Sequence, residues 1–164
     1  MGTDMHVAIE VRRKEYDYPS KAPVFKWKFI KKWTVDRCYD LFGCFGTHRR
    51  SWSNALHLTS AVEMSRELQG EMADYCYGFY AVSPQTLKEK ILGWTPPKDE
   101  WKEENSYADN EVPPVIDKEW FFDFPIYMGN DEEWYDDNVN YAIYKLMLRK
   151  YGKNNVRLIV YFDS

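Results

Sequence analysis

The sequence lacks a long apolar run, an amino-terminal signal region and any cysteine-rich motif. No stretch approaches the roughly 18 apolar residues of a membrane-spanning helix, so we expect no membrane span. The three cysteines, Cys38, Cys44 and Cys76, are odd in number and too widely spaced for a zinc knuckle. Because no secretory signal precedes them, we expect reduced thiols and a cytoplasmic location.

Several motifs that identify enzymes by sequence are also missing. There is no phosphate-binding loop of the Walker type, no dinucleotide-binding fingerprint, no paired-histidine zinc motif and no Gly-x-Ser-x-Gly nucleophile elbow. No reaction class follows from the sequence, and the pattern favours a protein without catalytic activity. A cysteine nucleophile would need a histidine partner, and none is recognisable beside Cys38 or Cys44.

Charge is distributed very unevenly along the chain. Residues 98–137 hold 14 acidic residues against three lysines, a net charge of −11 that leaves +7 on the rest of a chain whose total is −4. Because the total is negative and the acids are concentrated, we expect no direct nucleic-acid binding. Residues 98–130 are also rich in aromatics, which predicts a long packed loop that forms a lid or a partner surface.

The hydrophobic pattern predicts one α+β domain over residues 1–164. We expect a mostly antiparallel sheet of about four strands, with the terminal strands adjacent, packed by about four helices. The firmest helix covers 131–151, with acids at its start, basic residues at its end and Gly152 after it. The predicted strands are 5–12, 25–29, 75–82 and 156–163, and the other predicted helices are 34–42, 60–69 and 83–92. Ser60 and Glu63 are expected to form a capping box at the start of the second of these helices, and Ser83 to cap the third.

The two terminal strands carry the most informative polar residues. In the first strand, apolar residues alternate with Asp4, His6, Ala8 and Glu10, so these four share one face. The last strand, 156–163, alternates in the same way and ends at Asp163. If the strands pair antiparallel, Asp4, His6 and Asp163 lie within cross-strand reach of one another.

This cluster supports two kinds of chemistry. Asp4, His6 and Asp163 are candidate ligands of a divalent metal, and His6 is the candidate general base. Arg37 would hold a phosphate, because a guanidinium binds phosphate through two parallel hydrogen bonds. Asp40 lies three residues after Arg37. The predicted ligand-binding set is therefore Asp4, His6, Arg37, Asp40 and Asp163. The alternative is an ion pair of Arg37 with Asp40 or Asp163.

Three separated motifs resemble a family of small, uncharacterised proteins of tailed bacteriophages. The chain begins Met-Gly-Thr-Asp-Met-His, contains Asp-Arg-Cys-Tyr-Asp-Leu-Phe at 36–42 and ends Val-Arg-Leu-Ile-Val-Tyr-Phe-Asp at 156–163. Members of the family typically begin Met-Gly-Cys-Asp-Ile-His and end in an Arg-x-Val-Phe-x-Phe-Asp-Asn strand. Many also carry a His-Ser-His-Ser-Trp segment, whereas the comparable stretch here, Cys76–Tyr80, has no histidine. The resemblance implies a phage origin, a location in the host cytoplasm and no established activity.

Two functions remain open from the sequence. The first is a phage accessory protein that binds and inhibits a host protein or complex, such as a defence component, through an acidic aromatic surface. The alternative is a protein that binds a nucleotide or a metal at Asp4, His6 and Asp163, either to sequester the nucleotide or to hydrolyse it. The residues predicted for the acidic aromatic surface are Trp101, Trp120, Glu132, Glu133, Asp136 and Asp137.

Overall fold

A computed structural model describes residues 2–16, 18–35, 37–46, 52–107, 112–121 and 131–163. Of residues 131–138 it describes the backbone alone. The fold is an α+β domain built on a four-stranded antiparallel sheet, as the sequence predicts.

The sheet has the strand order β2-β1-β4-β3, so the first and last strands of the chain are the two central ones. The strands are β1 (Asp4–Tyr16), β2 (Pro23–Val35), β3 (Tyr77–Val82) and β4 (Val156–Asp163). The terminal strands pair antiparallel, with Asp4 opposite Asp163 and Val11 opposite Val156. This confirms the predicted adjacency of the chain ends. The register of β1 with β2 shifts between Ile9 and Glu10, where β2 has one extra residue.

Five helices accompany the sheet in the described part of the chain. They are α1 (Tyr39–Cys44), α2 (Arg66–Met72), α3 (Pro84–Thr86), α4 (Lys98–Glu104) and α5 (Asp131–Tyr151), and α3 continues as a π-helical turn over Leu87–Ile91. Short 3-10 turns cover Lys118–Trp120 and Lys153–Asn155. The predicted cap of α3 is present, since the Thr86 amide donates to Ser83 Oγ at 3.0 Å. Among the described helices, none is both long and apolar enough to span a bilayer.

The two faces of the sheet are buried to different extents. One face carries Met5, Val7 and Ile9 of β1 and packs into the main core with α1, the π-helical turn and α5. The other face carries the alternate residues of each strand. Its middle is covered by a smaller cluster in which Met64 and Leu68 lie over Ala8 and the central strands. Both ends of this second face remain accessible, and the predicted polar cluster lies at one of them.

The segment before α2 differs from the prediction. Ser60 and Glu63 do not form a helix-capping box, because Ser60 makes a bridge to Tyr80 and Glu63 has φ +55°. The Ala61 amide donates to the Phe79 carbonyl at 2.6 Å, so residues 59–61 run alongside the outer edge of β3. Pairing with a sheet edge satisfies these backbone groups, and α2 therefore begins only at Arg66.

The acidic segment, residues 98–130, is not the uninterrupted loop that the sequence predicts. It begins with α4 (Lys98–Glu104), whose Trp101 side chain is buried in the core. Residues 108–111 and 122–130 lie outside the described residues. The first short helix also starts later than predicted, at Tyr39, because β2 continues to Val35.

Candidate functional site

The end of the sheet where β1 begins and β4 finishes gathers polar side chains from three distant parts of the chain. Asp4 faces Asp163 in the ladder, and His6 faces Tyr161. The neighbouring strand β2 places Thr34 opposite His6. We call Asp4, His6, Thr34, Arg37 and Asp163 the terminal-strand cluster.

His6 is held through both of its ring nitrogens. Nε2 lies 2.8 Å from Asp163 Oδ2, and Nδ1 lies 2.9 Å from Thr34 Oγ1. The ring also lies over Tyr161, with 5.0 Å between the ring centroids. A neutral imidazole satisfies this arrangement by donating from Nε2 to the carboxylate and accepting from the Thr34 hydroxyl at Nδ1. The contacts fix the orientation of a side chain that remains 18% exposed.

Arg37 reaches the cluster through Asp4. Its Nε donates to Asp4 Oδ1 at 2.6 Å, and both side chains are partly exposed. The hydrogen bond from Arg37 lowers the pKa of Asp4 from its ordinary value, and the carboxylate in turn raises the pKa of Arg37. The guanidinium packs against Gly2, where a Cβ atom would collide with it. The glycine therefore leaves the space that the guanidinium needs to reach Asp4.

A buried hydroxyl adjoins the cluster. Tyr161 is completely buried, and its hydroxyl has no hydrogen-bond partner among the described residues. Burial raises the pKa of Tyr161, and the nearby charges of Glu71 and Asp163 add to the effect. Buried polar groups nearly always have a partner, so this hydroxyl is a candidate contact for a bound molecule.

Cys76 immediately precedes β3 and is half-buried. Burial raises the pKa of its thiol, and the negative charge of Asp163 contributes to the increase. Cys76 therefore lies within electrostatic reach of the terminal-strand cluster, but in its protonated form at neutral pH. This is the opposite of what an activated cysteine nucleophile requires.

The metal prediction finds no support in the described residues. Asp4, His6 and Asp163 come together, yet no group of three or more His, Cys, Asp or Glu residues among those described is placed to hold a metal ion. His6 and Asp163 use the facing atoms for their own hydrogen bond. The observed geometry is that of a hydrogen-bonded cluster.

Sequence reasoning missed two members of the site. Thr34 could not be placed opposite His6 without the position of the bulge in β2. Tyr161 alternates with core residues, and its hydroxyl gave no sign of lying beside the cluster. Asp40, by contrast, was predicted for the site and lies half-buried in the first turn of α1. Its role as a ligand-binding residue stays a prediction.

The predicted partner surface is only partly described. Trp101 is 5% exposed and belongs to the main core, so its ring is not presented to a partner. Trp120 is half-buried, and its indole N–H donates to the Val115 carbonyl at 3.2 Å. The side chains of Glu132, Glu133, Asp136 and Asp137 lie outside the described residues. Comparison of the chain with protein-family models, curated proteins and solved structures finds no match.

Proposed function

We propose that the protein binds a small nucleotide at the terminal-strand cluster. The observation that carries the proposal is the convergence of polar side chains from residues 4–6, 34–37 and 161–163 on one accessible end of the sheet. The buried Tyr161 hydroxyl beside them supports it, because it has no partner among the described residues.

The chemical composition of the cluster favours a nucleotide over a simple anion. Two carboxylates, Asp4 and Asp163, accept hydrogen bonds from sugar hydroxyls or a base amino group. Arg37 provides positive charge for a phosphate, and His6 provides ring nitrogens that form hydrogen bonds. A ligand that combines donors with a phosphate uses both sets, whereas inorganic phosphate would meet the two carboxylates without compensation.

The Arg37–Asp4 pair can open for the ligand at low cost. Arg37 is 51% exposed and Asp4 is 36% exposed, and ion pairs in such positions contribute little to stability. A phosphate offers the guanidinium a second carboxylate-like partner with bidentate geometry. The proposal requires no metal.

Thermal unfolding with a panel of nucleoside mono- and diphosphates tests the proposal. Binding at a ligand concentration 100 times Kd adds about 2.7 kcal/mol to the free energy of unfolding, which raises Tm by roughly 5–11 °C. We expect the shift with wild type and with Lys98→Gln, an exposed lysine on α4 that serves as the control. Arg37→Gln and His6→Asn should reduce it strongly, and inorganic phosphate should give less.

The same samples separate binding from turnover and from metal dependence. Release of phosphate or nucleoside would assign His6 the role of general base, whereas an intact nucleotide after incubation supports sequestration. Repeating the titration with Mg²⁺ and with a chelator shows whether a divalent ion contributes. The proposal fails if no nucleotide shifts Tm, or if the shift is the same in Arg37→Gln and His6→Asn as in wild type.

We also propose, as a second candidate, that the acidic segment binds and inhibits a host macromolecule. The described part of the segment favours this, because α4 exposes Asp99, Glu103 and Glu104 while Trp101 anchors it in the core. An acidic surface of this kind suits a basic groove of a phage host protein, such as a defence component. Pull-down from bacterial lysate tests it. Binding that survives charge reversal both in α4 and at Glu132, Glu133, Asp136 and Asp137 would contradict this second proposal.

A further inference from the structure

The far end of the second sheet face carries aromatic and cationic side chains, of which Phe25 is exposed and Arg12 and Trp27 are half-buried. Phe25 and Trp27 are two residues apart on β2 and therefore lie on the same face, roughly 6.5–7 Å apart at their Cα atoms. Arg12 of β1 is the ladder partner of Trp27. Its guanidinium carbon lies 5.2 Å from the centre of the Phe25 ring and 5.8 Å from that of Trp27. We call Arg12, Phe25 and Trp27 the aromatic–cationic platform.

Two contacts hold the platform rigidly. Asn155 accepts hydrogen bonds from Arg12 Nε at 3.2 Å and from Nη2 at 3.1 Å, which fixes the plane of the guanidinium. Arg157 lies 3.9 Å from the centre of the Trp27 ring and is itself bonded to the buried carboxylate of Glu10. The Trp27 ring is therefore anchored on one side by a buried group. Phe25 remains 53% exposed.

Two clefts open on either side of Trp27. The larger, of about 660 Å³, lies between β2 and residues 63–69, and it includes Phe25, Lys26, Lys28 and Arg66 in its wall. The smaller, of about 410 Å³, lies towards Ser83 and Lys153. Trp27 lines both, and we call the two clefts together the track. The two walls together contain five basic and two acidic residues. Three of the basic residues are paired with acids outside the walls, Lys26 and Lys28 with Glu15 and Arg157 with Glu10.

We propose that this track binds single-stranded nucleic acid, with bases stacking on Phe25 and Trp27 and phosphates following the basic residues. Aromatic side chains on a sheet with cations between them are the elements by which proteins hold unpaired bases. An acidic peptide would match the charge but would make little use of exposed rings. A duplex would satisfy the charge, but its stacked bases could not reach the rings.

The negative total charge of the chain does not oppose this binding. The sequence predicts no nucleic-acid contact from a total of −4. The total charge sums groups over the whole molecule, whereas salt screens interactions beyond about 8–10 Å. A phosphate in the track is nearest to Arg66 and Lys153 of the walls and to Arg12 over the two rings.

Fluorescence anisotropy with short labelled oligothymidylate at about 50 mM salt tests the inference. We expect wild type to bind and Phe25→Ala to weaken binding roughly 5- to 100-fold, the effect of losing one stacked base. Phe25→Tyr should retain the affinity, and Tyr107→Ala, which removes a 99% exposed ring elsewhere, should not change it. Arg66→Gln tests the charged wall independently and should weaken binding and reduce its salt dependence.

Four outcomes would overturn the inference. These are no binding at low salt, unchanged binding by Phe25→Ala and Arg66→Gln, equal affinity for duplex DNA of the same length, and equal competition by polyglutamate. Circular dichroism of each variant confirms that the fold is retained. His6→Asn should leave oligonucleotide binding unchanged, so a failure of this inference can be distinguished from a failure of the proposed nucleotide site.

Discussion

The side chains of His6 and Asp163 meet across 157 residues of sequence, with Nε2 and Oδ2 at 2.8 Å. The other carboxylate oxygen of Asp163 accepts the backbone amide of Asp4 at 3.2 Å. A single carboxylate thus bonds both a side chain and the backbone of β1. It ties the last strand to the first at the sheet end where the candidate site lies.

Asp163→Ala should reduce the free energy of unfolding by about 1 kcal/mol. A hydrogen bond to a charged group contributes about 1.5–3 kcal/mol when buried, but exposed pairs contribute only about 0.2–1. The 37% exposure of the Asp163 side chain places the expected loss between these ranges. Urea unfolding of Asp163→Ala, His6→Ala and the double variant measures it. If the two single losses simply add, the observed contact does not couple the strands.

Arg37→Gln should raise the pKa of Asp4 towards its ordinary value of 3.8, because the hydrogen bond from Arg37 is the largest cause of the depression. A depressed carboxyl pKa stabilises the fold above pH 3.8. This contribution is lost as the pH falls through the lower pKa of the folded protein. NMR titration of the side-chain carboxyl carbons over the acid range measures the change.

Glu15 provides the internal control for this titration. Its pKa is also lowered, but by Lys28 at the other end of β1, and it should not respond to Arg37→Gln. Gly2→Ala should act in the same direction as Arg37→Gln, since the added Cβ displaces the guanidinium from Asp4. An Asp4 pKa that neither substitution moves would show that Arg37 does not cause the depression.

The convergence of Asp4, His6 and Asp163 could be predicted because it depends on two regular properties of strands. Side chains alternate between faces, and an antiparallel pair brings the start of one strand to the end of the other. Thr34 could not be predicted, because the extra residue in β2 shifts which residues of that strand face β1. This one extra residue is the reason that Thr34 could not be identified as a member of the site.

Contacts between the sheet and segments outside its four strands also could not be predicted from the sequence. Ser60 and Glu63 have the local pattern of a helix start, yet the backbone there pairs with β3 instead. Glu10 shares the predicted polar face of the first strand with Asp4 and His6. It is nevertheless completely buried, because the segment that precedes α2 covers it and the Ser65 amide donates to its carboxylate at 2.8 Å. Tertiary contacts override local propensity in both cases.

The thiol of Cys76 should titrate above its ordinary pKa of 9.0, because burial disfavours the thiolate and Asp163 adds negative charge nearby. Asp163→Asn removes that charge and should move the pKa downward, so alkylation at a fixed alkaline pH becomes faster. The rate is best measured in a Cys38→Ser background. Cys44 does not interfere, because it is buried and burial raises its pKa to about 12.

Asp99→Asn on α4 is the control for the thiol experiment. It removes the same charge from an exposed position remote in sequence, and it should leave the alkylation rate unchanged. A titration midpoint at or below 9.0, or one that ignores Asp163→Asn, would contradict the placement of Cys76 beside the terminal-strand cluster.

Removing one partner of the Glu10–Arg157 ion pair should destabilise the fold more than any of the changes above. Glu10 is 0% exposed, and its Oε1 accepts from Arg157 Nε at 3.0 Å and Nη2 at 2.8 Å. Glu10→Gln leaves a buried guanidinium without its counter-charge, which costs about 3–5 kcal/mol in comparable pairs. Urea unfolding should show this loss. Glu15→Gln should change stability little, because Glu15 lies on the same strand as Glu10 but is partly exposed, as is its partner Lys28 of β2.

Replacing both members of the pair separates the cost of an unpaired charge from the value of the pair itself. A Glu10→Leu/Arg157→Met variant leaves no buried charge and keeps most of the apolar volume that packs on Trp27. We expect it to be more stable than Glu10→Gln. Ser65 then loses its acceptor for the backbone amide, so the double variant should still fall below wild type. A double variant as unstable as Glu10→Gln would contradict the assignment of that loss to an unpaired buried charge.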